Sequence, residues 1–308
     1  MTAFIPRLAM LADAISIKTL ALPLAIIAAT ALGAATGHTQ PFARTFVSNT
    51  GVDTDNFNCD VNTPCLTFQH ALGETSSGGE INCLNAGGFG AVTIGISVTI
   101  DCEGASNGGI QTSGTNAITI STGGIIVNLI GLDINGENAS GGIGVNITAA
   151  ATVNIRHCKI YGFLNSVGLT GYGIYFSPVS SGGTLVVDNV FLANNTYSIF
   201  LNSTNGESNM TVRNSTITNN IYGIFLDMNG GTHAGVTIEQ TTLAFNSPTG
   251  LAVRGSGAVA VIGGSTVVNN TTGIFNNGGT IYSFKNNQIG GNGTDGTPLT
   301  AYPGGPLN

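Results

Sequence analysis

The chain has 308 residues with 8 basic and 15 acidic side chains, a formal charge of −7, and only 7% charged residues where about a quarter is usual. So acidic and charge-poor a chain lacks the basic stripe that phosphate recognition needs, and nucleic acid is excluded as an expected partner. Glycine, at 46 residues, is about twice as frequent as usual, while a mean hydropathy of +0.29 argues against disorder.

Residues 1–43 read as an export leader. Arg7 and Lys18 make its start positive, TLALPLAIIAATALGAA (19–35) is apolar, and small residues such as Ala29-Thr30-Ala31 offer cleavage sites. As a membrane anchor the run is marginal for the ~20 residues a span needs. It also contains Pro23 and is followed by no basic stop-transfer cluster. The expectation is a secreted protein, extracellular, periplasmic or at the cell surface, with no membrane span after cleavage. Without residues 1–43 the chain keeps 6 basic and 14 acidic side chains, so the mature form is more acidic still.

Residues 44–79 predict an N-terminal strand, a disulfide loop and a cap. Cys59 and Cys65 bracket CDVNTPC and read as a local disulfide made in an oxidising compartment. Cys83 and Cys102, in EINCL and VTIDC, share one phase of the apolar alternation and either pair or remain two buried thiols. Cys158 reads as a small buried hydrophobe. PCLTFQHALGE (64–74), with Pro64 in the first turn and Leu66, Phe68, Ala71 and Leu72 on one side, predicts a short helix. Its role is to cover an open strand edge, and His70 belongs to that cap rather than to a ligand set. GVDTDNFNCD (51–60) offers oxygen atoms in Asp53, Asp55, Asn58 and Asp60 but lacks the glycine and terminal glutamate of a calcium loop. No metal site and no cofactor is expected, calcium being the one ion with candidate ligands.

Residues 80–292 repeat. VVDNVFLANN (186–195), TVRNSTITNN (211–220), TIEQTTLAFN (237–246), VIGGSTVVNN (261–270) and SFKNNQIGGN (283–292) align, and SIFLN, GIFLD, GLAVR and GIFNN follow the first four as second strands. The inward apolar position recurs at Val187, Val212, Ile238, Ile262 and Phe284, spaced by 25, 26, 24 and 22. Such a period, built of short strands and Asn/Gly turns, is the mark of a solenoid with one repeat per turn. After Asn292 the chain (293–308) is Gly/Pro-rich and unpatterned.

The repeat x-V-x-N-x-x-I-x-x-N-x-x-x-G-I-x-L resembles that of the pectin-lyase-like superfamily. ARTFVSNTG (43–51), PCLTFQHAL, GGEINCL and GFGAVTI resemble the N-terminal segments of a group of secreted bacterial β-helix proteins without an assigned activity. The resemblance spans about residues 43–292. It implies an all-β fold: a right-handed single-stranded parallel β-helix of roughly nine rungs with a short N-terminal capping helix. It leaves function open among lyases, hydrolases, esterases, epimerases and binders without catalysis.

In a β-helix, equivalent residues stack about 4.8 Å apart, so chemistry is read in columns. His157, Asn189, Asn214, Gln240, Gly264 and Asn286 form a turn or interior ladder, and Asn195, Asn220, Asn246 and Asn270 form another. Arg156, Asp188, Arg213 and Glu239, then Gly263 and Lys285, form an outward column of alternating sign. It is either a surface ion-pair ladder, at ~0–1 kcal/mol per pair, or an acid held beside an arginine for catalysis.

The second strand places Gly144, Tyr175, Phe200, Phe225, Ala252 and Phe275 outward, beside Asn146, Ser177, Asn202, Asp227, Arg254 and Asn277. Aromatic rings beside hydrogen-bonding groups suit a sugar chain, with Tyr175, Phe200, Phe225, Asn202, Asp227 and Arg254 as the binding residues. Alternatively loops 178–183, 203–209 and 228–235 fold over the rings and bury them.

The Asn-Thr-Asp, Asp-Asp, Gly-His-Gly and Arg-Ile-Lys segments of polygalacturonase-like hydrolases are absent, as are the motifs of pectate lyases, so catalytic residues are unassigned. The expectation is a secreted protein that binds polysaccharide or cell-surface glycan. A polysaccharide lyase or glycoside hydrolase is the alternative, and a purely structural surface protein the third reading.

Overall fold

The repeat is one turn of a solenoid whose wall carries three strands per turn, not two. In one turn these are Thr184–Asp188, Phe191–Ala193 and Tyr197–Leu201. The ten-residue segment that reads as one strand is bent at Asn189 (φ 54°), and a second left-handed residue, Asn194 (φ 55°), precedes the third strand. Asparagine takes this conformation more readily than other residues bearing a Cβ.

The computed structural model describes residues 41–303, except 140, 150, 166, 167, 169, 180, 181, 205 and 229–231. The leader therefore lies outside the described residues save for its last three positions, and the first strand, Phe42–Val47, begins within them. Successive turns pair in parallel, giving among the described residues one sheet of eleven strands (sheet 1) and two of nine (sheets 2 and 3). Ile155, Val187, Val212, Ile238 and Ile262 stand in register on sheet 1 and are fully buried. The fold is thus an all-β parallel solenoid around one continuous apolar core.

Its turns bend at two columns, of which only the second is a hydrogen-bonded ladder. At the first, His157 Nδ1 meets Glu103 and the Asn214 amide donates to Asp188, and no side-chain bond joins His157, Asn189, Asn214 and Gln240 to one another among the described residues. His157, Asn189, Asn214, Gln240 and Gly264 all have positive φ at the first bend, as their column predicts. The sixth place belongs to Lys285 and not Asn286, because Ile262 pairs with Ser283 rather than Phe284. The last repeat slips by one residue. The Ser283 hydroxyl turns inward, where the Lys285 N–H and the Asn287 amide donate to it, and Phe284 packs against Tyr302 at 5.2 Å. Lys285 accordingly leaves the outward charge column for the bend.

Asn195, Asn220, Asn246 and Asn270 are buried, and Asn292 continues their column. Each Nδ2 donates to the next Oδ1 at 3.0–3.1 Å, which also accepts the backbone N–H of the residue below. These amides satisfy turn donors that would otherwise be orphaned in the interior.

The cap is a single helix, α1 (Phe68–Glu74), shorter at its start than the 64–74 the sequence suggests. The Thr67 hydroxyl accepts the His70 N–H as N-cap, and the Asp53 carboxylate accepts the N–H groups of Leu66 and Thr67. These caps fix the helix start, leaving Pro64 outside it and Leu66 exposed, while Phe68, Ala71 and Leu72 are buried. The Cys59–Cys65 loop covers the outer edge of the first strand, with Phe46 donating to Cys59 and Cys65 donating to Phe46. Cys83 and Cys102 are also disulfide-bonded. Past residue 292, strands Thr294–Gly296 and Thr300–Ala301 add to sheets 3 and 1.

Candidate functional site

Sheet 3 carries two aromatic columns. Tyr175, Phe200 and Phe225 stand in register as the sequence places them. Beside them runs a second column, Tyr172, Tyr197 and Tyr222, that strand alternation misses. Its strands carry an extra inward residue at Gly173, Ser198 and Gly223, which pairing skips, so Tyr172 and Tyr175 emerge on the same face. The available signal was tyrosine recurring every 25 residues before Gly or Ser. The same skipped position sets Gly144 opposite Gly173 and places Asn146 beside Tyr175, so Asn146 belongs to the aromatic column and not to the polar one.

The rings stack on one another. Centroids are 5.7 and 5.6 Å apart along Tyr175–Phe200–Phe225, with planes within 11° of parallel. Along Tyr172–Tyr197–Tyr222 they are 5.1 and 4.7 Å apart, within 14°. Each tyrosine also meets the neighbouring column edge-on or tilted. Phe200 and Phe225 are buried in this second, external cluster, and the tyrosines are half-buried. Ring faces are therefore spent on each other, and edges and hydroxyls meet solvent. Burial, and then its tyrosine neighbours, push the Tyr197 hydroxyl up to about 12, and Tyr172 is raised for the same reason. All three hydroxyls lack a hydrogen-bond partner among the described residues.

Arg254 ends the phenylalanine column. Its Nε donates to Asp227 Oδ1 at 2.9 Å and its Nη2 to Oδ2, while the guanidinium lies 5.3 Å from the Phe225 centroid. The Asp227 carboxylate raises the Arg254 pKa further. Asp227 itself is buried and held at both oxygens. Asn202 is half-buried two residues beyond Phe200, and Ser177 is buried. One turn on, Thr249 and Ala252 take the places of Tyr222 and Phe225, and Phe275 follows, 43% exposed. The drop in side-chain size opens a groove of about 500 Å³ over Tyr222, Pro248, Thr249, Arg254, Phe275 and Asn277.

The charge column on sheet 1 is in register from Arg156 to Glu239, but it is one ion pair and not a ladder. Arg213 donates to Asp188 at 2.9 Å, as does Asn214, whereas Arg156 and Glu239 have no ionic partner among the described residues. Burial would raise Asp188, but hydrogen bonds from Asn214 and Arg213 hold it below the usual carboxylate range.

In the 51–60 loop, the Asp53 oxygens cap α1 and the Thr67 hydroxyl, and Asp60 accepts the N–H groups of Asn62 and Thr63. Among the described residues, Cys59, Cys65 and His70 are the one close group of metal-type ligands, but both sulfurs are spent in the disulfide. Cys158 is buried and its thiol is pushed up to about 12 by burial, far from a thiolate. No helix among the described residues is long and apolar enough to cross a membrane.

Comparison with protein-family models and with curated proteins finds no match to this chain.

Proposed function

We propose that this is a secreted β-helix protein of the pectin-lyase-like type that binds a polysaccharide or cell-surface glycan on sheet 3 without catalysing its cleavage. The observation that carries the reading is the tyrosine column, whose three unpartnered hydroxyls repeat at about the strand spacing and lead into the 500 Å³ groove. A glycan laid along the axis meets one hydroxyl per turn, at a spacing comparable to one sugar unit, ~4.8 Å. In the groove a sugar ring rests against the far face of Tyr222, with Phe275 beyond it and Asn277 within reach of its hydroxyls. Export is supported by the apolar leader and the two disulfides.

Catalysis is not favoured. Asp227, the acid of the groove, is held at both oxygens by Arg254, so neither is free as a base or nucleophile. The test is incubation of the purified protein with a polysaccharide panel, with and without calcium. Binding without new reducing or unsaturated ends is expected, and weakened binding by Tyr222→Ala and Phe275→Ala. Product formation would promote the lyase or hydrolase reading; neither binding nor product would leave a structural protein.

A further inference from the structure

Near the N-terminal end, the outer face of sheet 2 loses its side chains. Register sets Gly88, Gly109, Asp133 and Lys159 in one column and Gln111, Asn135 and Tyr161 in the next. The two glycines leave a bare floor, and the turns above it supply a polar wall. The result is a cavity of about 390 Å³, lined chiefly by Gly87, Gly88, Gln111, Asp133, Asn135 and Tyr161. That size lies within the range of small-molecule sites.

Packing explains one glycine of this column and not the other. A Cβ at Gly109 would lie 2.0 Å from the Asp133 carbonyl oxygen, so no side chain fits there. At Gly88 a Cβ would meet nothing nearer than 3.7 Å, an ordinary contact, and Gly88 does not have a positive φ. The protein thus keeps the floor open at a position where its own packing allows a side chain.

The groups around the floor are mutually committed in a way that leaves one polar function of each free. Asn135 Oδ1 accepts the Glu137 N–H at 2.8 Å, leaving its Nδ2 to donate. Gln111 Nε2 donates to Glu137 at 2.5 Å, leaving its Oε1 to accept. The Asn107 side-chain amide, on the rim, has no partner among the described residues. Asp133 lies 3.8 Å from Lys159 Nζ, while Glu137, which accepts from Gln111, has no ionic partner among the described residues, so the rim is mildly acidic. Amide donors and acceptors thus ring the floor beside an acidic rim that disfavours an anion, and the Tyr161 ring supplies an apolar side.

We propose that this groove is a second binding site, for one or two units of a neutral sugar whose hydroxyls both donate and accept. It stands independently of the groove on sheet 3, since no residue lines both.

The test is NMR titration of the full protein with glucose, galactose, mannose and their common disaccharides, following the Gly87, Gly88 and Gln111 amides. Saturable shifts at these amides are expected for at least one neutral sugar. They should persist in Tyr222→Ala, which reports on the other groove alone. Gly88→Leu should weaken the response tenfold or more at unchanged Tm. Gln111→Ala, at an exposed position, should weaken it without filling the floor. Shifts confined to sheet 3 overturn the proposal, as does no response to any sugar at millimolar concentration. Undiminished binding by Gly88→Leu overturns it equally.

Discussion

Tyr197 and Tyr222 stack face to face at 4.7 Å with 8° between their planes, one strand apart on the outside of the solenoid. An aromatic column that packs on itself is part of the structure as well as part of a surface. Its rings hold neighbouring turns together, and only its edges and its end remain for a ligand.

The buried member of the cluster should therefore behave as core. Phe200→Ala removes a ring packed against four others and should cost ~3–5 kcal/mol. Phe275→Ala, at an exposed ring, should stay within ~0.5 kcal/mol. Denaturant unfolding of the two variants checks the contrast; equal losses would mean that Phe200 is not enclosed.

The same packing predicts alkaline behaviour. Tyr197 is pushed up to about 12 in the folded protein, as is Tyr161 on sheet 2 through burial and then Asp133, against ~10 for a free phenol. Between those values the folded state holds more protons than the unfolded one. Stability is thus fully present below about pH 10 and falls as pH rises toward 12. A spectrophotometric titration should show a late class of tyrosines that merges with the rest on unfolding.

What the sequence made legible was whatever a column repeats. The buried asparagine ladder, the left-handed bend at Asn189 and Asn214, and the inward valines and isoleucines follow from residue type at fixed spacing, whereas the amides at the first bend do not bond one another as their column suggests. Two kinds of local irregularity escaped it. The skipped residue at Gly173, Ser198 and Gly223 changes the alternation within a strand, hiding the tyrosine column and misplacing Asn146. The slip in the last turn moves Phe284 and Lys285 by one position. Neither breaks the period, so nothing in the period signals them. Pro64 reads as the first turn of α1, whereas Thr67 and Asp53 set the helix start, a capping role that spacing alone does not reveal.

The asparagine ladder should be the most sensitive polar feature. Asn220 Oδ1 accepts both the N–H and the side-chain amide of Asn195, and its own amide reaches the carbonyls of Leu192 and Thr218. Asn220→Leu leaves these buried groups without partners, at about 1–3 kcal/mol for each one stranded. Loss of folding at ambient temperature, or a drop in Tm far beyond that of a surface variant, is the expected result.

Asp188 offers a mild acid effect. Its depressed pKa means that its contribution is present above the unfolded value of ~3.9 and is lost as pH falls through the lower folded value. Asp188→Ala should remove this acid dependence and, at neutral pH, cost about 1 kcal/mol or less, because Arg213, with a side chain 47% exposed, can turn to water once its partner is gone. Stability curves at pH 7 and pH 3 measure both.

The asparagine ladder also sets how the molecule should respond to force. Each of its amides bonds the next, 22 to 26 residues on, so a turn is tied chiefly to the turns beside it. Pulled along its axis from the C-terminal end, such a chain peels rather than shears. Strand pairs and ladder amides of one turn release together, and extension comes in steps of one repeat.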